Sequence, residues 1–140
     1  MSIRTRDAAK RGRASGPFIP LPMCVLRSQH RRGLSAIGSK LFMDLVDQLQ
    51  VNAEGPANNG DLTVTWSIMA QRGWKSRDSL ERARKELLEK ELIILTRQGG
   101  RNLASLYAFT FFAINECRGK LDVRPTVTPP KVWSRENWSH

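Results

Sequence analysis

Lys75, Ser76, Arg77 and Ser79 lie close together in this chain of 140 residues, and Arg82 and Lys85 follow within the next turns. Cationic groups interleaved with short hydroxyls are the side chains that hydrogen-bond phosphate oxygens, and an outward-facing Arg has the paired donors that match a guanine edge. A second group, Arg97, Gln98, Arg101 and Asn102, surrounds Gly99-Gly100. A flexible loop with two Arg can enter a minor groove or grip phosphates, the alternative being a solvated turn. For Arg82 the alternative to a base contact is an ion pair with Asp78 or Glu86, four residues away on the same helical face. Arg84 falls beside the apolar stripe of the same segment, which suits a structural partner or a snorkelling side chain.

The remaining chemistry-bearing residues form no constellation. His30 and His140 are the only histidines, one beside an Arg pair and one the final residue, and neither has an acid or a nucleophile at a useful spacing. Cys24, His30 and Cys117 are scattered without the spacing of a metal motif, so no metal and no disulfide framework are expected. Asp44 and Asp47, at i and i+3, read as a solvated helix face. Gly99-Gly100 is flanked by strand-like runs on both sides, whereas a nucleotide loop joins a strand to a helix. The expectation is a protein without catalytic activity or cofactor.

The elements that must position the basic residues follow from periodicity. Ser35 can cap a helix from about Ser35 to Gln50, whose Ile37, Leu41, Phe42, Leu45, Val46 and Leu49 recur at helical spacing. The Asn-, Gly- and Pro-rich run 51–60 predicts a loop, and Asp61 to Val64 a brief strand. Residues 65–72 predict a short helix stopped by Gly73, after which Ser76 caps a longer helix through residue 92 with Leu80, Ala83, Leu87 and Leu88 on its inner face. Asp78, Arg82, Lys85 and Glu89 point away from that stripe. Residues 93–97 and 105–110 are strand-like and enclose the Gly-Gly loop, which predicts a β-hairpin. Helix, Gly-containing turn, helix and hairpin together outline a winged helix-turn-helix. Trp66 and Trp74, flanking the shorter helix, are assigned to packing.

Around this centre, residues 1–16 carry a charge of +4 with little apolar surface, and 17–33 carry +3. The first stretch reads as a flexible basic arm, either a nucleic-acid contact or a solubilising terminus. In PFIPLPMCVL three prolines predict extended backbone until Leu21, Met23, Val25 and Leu26 reach the core. Residues 117–140 form a Pro-rich tail in which Trp133 and Trp138 pack on the domain or on a partner. The net charge of +10 favours a polyanionic partner. No apolar run is long enough to span a membrane, and a cytoplasmic protein with reduced thiols is expected.

Leu34-Ser35, Asn58-Asn59-Gly60-Asp61, Gly73 with Ser76, Leu80-Glu81-Arg82-Ala83, Glu86-Leu87, Ile94, Thr96-Arg97 and Leu106-Tyr107-Ala108 give the chain a wider likeness. Over residues 20–115 it resembles the small winged-helix proteins of phages and mobile elements, related to the N-terminal domains of phage and plasmid replication initiators. In one departure, Glu91 stands where that pattern has a Gly ending the recognition helix, which implies a less sharp end there. The resemblance implies an α+β fold of three helices with a small antiparallel β-hairpin wing, in a domain spanning residues 17–116. It implies a sequence-specific double-stranded DNA-binding protein, acting in transcriptional regulation or replication control. The DNA-binding residues would be Lys75, Ser76, Arg77, Ser79, Arg82, Lys85, Arg97, Gln98, Arg101 and Asn102. A homodimer stays open, as does a different class, a protein-interaction adaptor or inhibitor that meets its partner through Asp78, Glu81, Glu86 and Glu89.

Overall fold

Pro22, with φ fixed at −62°, starts a helical turn instead of prolonging extended backbone, because a ring at the entry of a helix removes no hydrogen bond the helix needs. The computed structural model describes residues 12–134. Helix α1 is Met23–Leu26 and α2 is Gln29–Arg32, the latter capped by Ser28, whose hydroxyl accepts from the Arg31 N–H. The extended docking segment expected here is therefore corrected: Val25 is fully buried, Leu21 packs on the core, and Met23 is 47% exposed.

Helix α3, Ala36–Gln48, starts where Ser35 predicts it, with the Ser35 hydroxyl accepting from Gly38 N–H at 3.1 Å. Its buried face is Leu41, Phe42, Leu45 and Val46. The following loop contains a minimal hairpin, β1 Val51–Asn52 paired with β2 Gly55–Pro56, which composition alone had assigned to loop. Helix α4, Trp66–Ala70, and α5, Arg77–Glu89, are joined by a turn in which Gly73 takes a φ of +92°. On α5 the residues Leu80, Ala83 and Leu87 are buried and meet α3, so the two longest helices share one core.

Strands β3, Ile93–Arg97, and β4, Leu106–Phe109, pair antiparallel with Ile93 opposite Phe109 and Leu95 opposite Tyr107. A bulge between Leu95 and Arg97 shifts the register toward the loop. The brief strand expected at 61–64 is reduced to one bridge: Leu62 and Tyr107 exchange N–H···O bonds of 3.2 and 2.8 Å.

Contrary to the implied soft end at Glu91, α5 stops sharply. Glu91 takes the left-handed conformation (φ 59°), its N–H donates to the Leu88 carbonyl at 3.1 Å, and Leu92 N–H donates to the Leu87 carbonyl at 3.1 Å. This pair of bonds, with Leu87 and Leu92 both buried, is a Schellman ending in which Glu occupies the position usually given to Gly.

The segment after β4 returns over the hairpin. Asp122 N–H donates to the Thr96 carbonyl at 2.8 Å, Thr126 N–H to Ile114 at 3.0 Å and Lys131 N–H to Thr110 at 3.2 Å. Trp133 reaches the core cluster, edge-on to His30 at 5.3 Å and to Phe111 at 6.3 Å between ring centres. Trp138, His140 and the basic residues Arg4, Arg6, Lys10 and Arg11 lie outside the described residues. The molecule is thus mixed α+β, with five α-helices and two antiparallel two-stranded hairpins among the described residues. Among these, no helix is long and apolar enough to cross a membrane.

Candidate nucleic-acid interface

The turn between α4 and α5 is rigid because its aromatic residue is fastened to α3. Trp74 is 5% exposed, and its indole N–H donates to Asp44 Oδ2 at 2.7 Å. Asp44 also accepts from Lys40 at 3.0 Å, and Lys40 donates to the Arg72 carbonyl at 2.7 Å. Arg72 pairs with Asp47. Asp44 and Asp47 are therefore not a merely solvated face: they tie α3 to the turn. Trp66 and Trp74 both pack, as assigned.

This anchoring fixes the N-terminal end of α5. Ser76 caps it, its hydroxyl accepting from Ser79 N–H at 3.2 Å, and Asp78 sits in the first turn where the helix dipole favours a negative charge. Lys75, Arg77 and Lys85 are exposed, and the Arg77 guanidinium lies 5.2 Å above the Trp66 ring. Arg82 donates from Nε to Asp78 Oδ2 at 3.1 Å and from Nη2 to Ser79 Oγ at 3.3 Å. The intrahelical pair weighed against a base contact is thus present, but at 63% and 82% side-chain exposure its members are open to solvent. Such a pair contributes about 0.3–0.5 kcal/mol, so a stronger acceptor can replace Asp78 at small cost.

At the hairpin end the four candidates divide. Arg97 is half-buried and donates twice to the Ala104 carbonyl, at 2.7 and 3.2 Å, closing the loop from inside. The Gln98 N–H donates to Asp122 Oδ2 at 2.9 Å, leaving its exposed side chain at the rim. Gly99 is required by close approach: a Cβ there would lie 2.6 Å from Ser105 N. Gly100 and Leu103 exchange two backbone bonds, and the turn between them presents Arg101 and Asn102, both exposed, with Asn102 in the left-handed region that Asn tolerates. The structure therefore brings Lys75 and Arg77 to the start of α5, leaves Arg82 and Lys85 exposed about one and two turns further along it, and presents Arg101 and Asn102 at one loop tip, while Ser76 and Arg97 hold backbone.

Three residues outside these candidates shape this surface. Glu86 accepts from Ser35 N–H at 2.8 Å and from Ser35 Oγ at 2.6 Å, joining α5 to the start of α3. Arg84 forms a forked pair with Glu81 and donates to Tyr107 Oη at 3.2 Å, as expected of a structural Arg. The Glu81 partner raises the Arg84 pKa, and Arg84 in turn holds the Glu81 carboxyl below its usual range. Asp122, the third, carries no spacing signal in the sequence, since its partner lies on a strand it does not adjoin.

Among the described residues no group of three or more His, Cys, Asp or Glu side chains could hold a metal ion. His30 Nδ1 donates to the Lys90 carbonyl at 2.9 Å, and the Cys117 thiol, its pKa raised by burial, lies 3.8 Å from the Asn59 carbonyl. No family model matches the chain, and no curated protein or solved structure does.

Proposed function

We propose that this chain is a winged-helix domain that binds double-stranded DNA without catalysis, placing the N-terminal end of α5 in the major groove and the β3–β4 loop against the flanking backbone. The observation that carries the reading is the helix end itself. Lys75 and Arg77 flank a capped N-terminus held by the Trp74–Asp44 bond, and Arg82 and Lys85 are exposed on the turns that follow, an arrangement suited to phosphates and base edges. A role in transcriptional regulation or replication control of a phage or mobile element follows from the resemblance stated above, and that role implies a cytoplasmic location.

The adaptor reading loses one of the four acids it needs, because Glu86 is half-buried and accepts from both the N–H and the hydroxyl of Ser35. Asp78 and Glu81 are in exposed pairs with Arg82 and Arg84, so that surface is as basic as it is acidic. A labelled duplex titrated at several salt concentrations tests the proposal. Binding that weakens steeply with salt supports it, since displaced counterions drive such association. No binding at low salt, or a flat dependence, removes the DNA reading and returns the adaptor to first place.

A further inference from the structure

The nucleic-acid reading leaves unused a cleft of about 380 Å³ between α5 and the β3–β4 hairpin. Leu88 of α5 and Leu95 of β3 form apolar parts of its wall, while Arg84 and Tyr107 bring polar groups into it. Thr65 and Ser105 also line it, so the wall is mixed in polarity, and its volume falls in the roughly 300–1,000 Å³ range of small-molecule pockets.

The chemistry of the cleft centres on one guanidinium. Arg84 donates from Nε to Glu81 Oε2 at 2.9 Å and from Nη2 to Glu81 Oε1, the forked geometry that any planar carboxylate or phosphate can adopt. Its remaining arm, Nη1, donates to Tyr107 Oη at 3.2 Å, on the side of the guanidinium away from the fork. Arg84 is 25% exposed and Glu81 49% exposed, so the cation belongs to the cleft and its counter-ion to the rim. Glu81 therefore holds the place of an anion, from a position where solvent screens the pair and makes exchange inexpensive.

We propose that this cleft binds a small organic anion, a carboxylate or phosphate on a flat apolar body, which takes the place of Glu81 on Arg84. The anion receives the Nε–Nη2 fork, Tyr107 steadies the guanidinium through Nη1, and the apolar body lies against Leu88 and Leu95. Glu81 is the built-in competitor and sets the affinity.

Calorimetric titration of the full chain with phenyl phosphate and with benzoate, no duplex being present, tests this separately from DNA binding. Both probes should saturate, and benzyl alcohol and inorganic phosphate should bind more weakly, because each has only half of the matching chemistry. Glu81→Gln should tighten phenyl phosphate about two- to fivefold, the fold-change equivalent to losing an exposed ion pair. Tyr107→Phe, which keeps the ring, should weaken it. A merely structural Glu81–Arg84 pair predicts the opposite for Glu81→Gln: a less stable protein with no gain in affinity. That outcome overturns the proposal, as does inorganic phosphate binding as well as phenyl phosphate, or no saturation of either variant at about 10 mM probe. Arg84→Gln should abolish binding; if it does not fold, the Glu81 and Tyr107 variants still decide.

Discussion

Asn59 shows how one side chain can hold several segments. It is fully buried, its Oδ1 accepts from Phe109 N–H at 2.8 Å, and its Nδ2 donates to the carbonyls of Phe109, Phe112 and Ala113 at 3.0–3.2 Å. Asn59→Ala leaves these backbone groups enclosed and unpaired, so it should destabilise the protein by about 2–4 kcal/mol, read in a denaturant melt. The exposed residues behave differently, because their partners are replaceable. If Arg82 exchanges Asp78 for a base edge, Arg82→Ala should cost about 1–3 kcal/mol on the preferred duplex and little on random DNA. Arg101, at the tip of the loop, should act on phosphates alone: Arg101→Ala should weaken both duplexes alike and lower the salt slope by about one. Circular dichroism establishes that both variants fold. Discrimination left intact by Arg82→Ala would move base reading to Arg77 or the loop.

At the scale of elements, the end of α5 carries a defined strain. Glu91 adopts φ 59°, a region unfavourable for side chains other than Gly and Asn, and holds it because the Leu87–Leu92 bond and contact close the Schellman ending. Glu91→Gly should relieve that strain and raise the melting temperature by roughly 2–4 °C, the lost exposed pair with Lys131 being a minor offset. A fall would show that the Lys131 contact outweighs the strain. What could be read in advance divides along physical lines. The caps at Ser35 and Ser76, the apolar stripes of α3 and α5 and the β3–β4 pairing depend on neighbours in sequence, and all were legible. Two short helices after Pro22 were not, since the same proline serves an extended segment or a helix entry. The Schellman ending was hidden because left-handed Glu has no compositional mark. Among the site candidates, exposure of Arg82 and Lys85 followed from the helical wheel and that of Arg101 from the turn. The internal use of Arg97 depends on where Ala104 folds back, and Asp122 at the loop base depends on a tail far along the chain.

For the whole molecule, the tail belongs to the fold as much as the helices do. Lys131 reaches Glu91 at 2.7 Å and lowers its carboxyl pKa, as Arg84 does for Glu81. A carboxylate whose pKa is lower folded than unfolded contributes stability that is complete above the ordinary value of 4.5 and is lost as pH falls through the folded value. Melts between about pH 7 and pH 3 should therefore lose stability below that value, and the double variant Glu81→Gln with Glu91→Gln should lose less. Truncation after Leu121 removes Asp122 from the hairpin and Trp133 from the core cluster, so it should lower the melting temperature before it changes any oligomeric state. Removing residues 1–16 has a different physical content: it takes away a charge of +4. If the arm contacts phosphates, its deletion should leave the melting temperature nearly unchanged and weaken all duplexes alike. The slope of log K against log salt should shrink by up to about 3–4, since each phosphate contact adds close to one. An unchanged slope would make the arm a solubilising terminus, and a loss confined to one sequence would show that it reads bases, so the two ends of the chain are separated by one melt and one salt series on each variant.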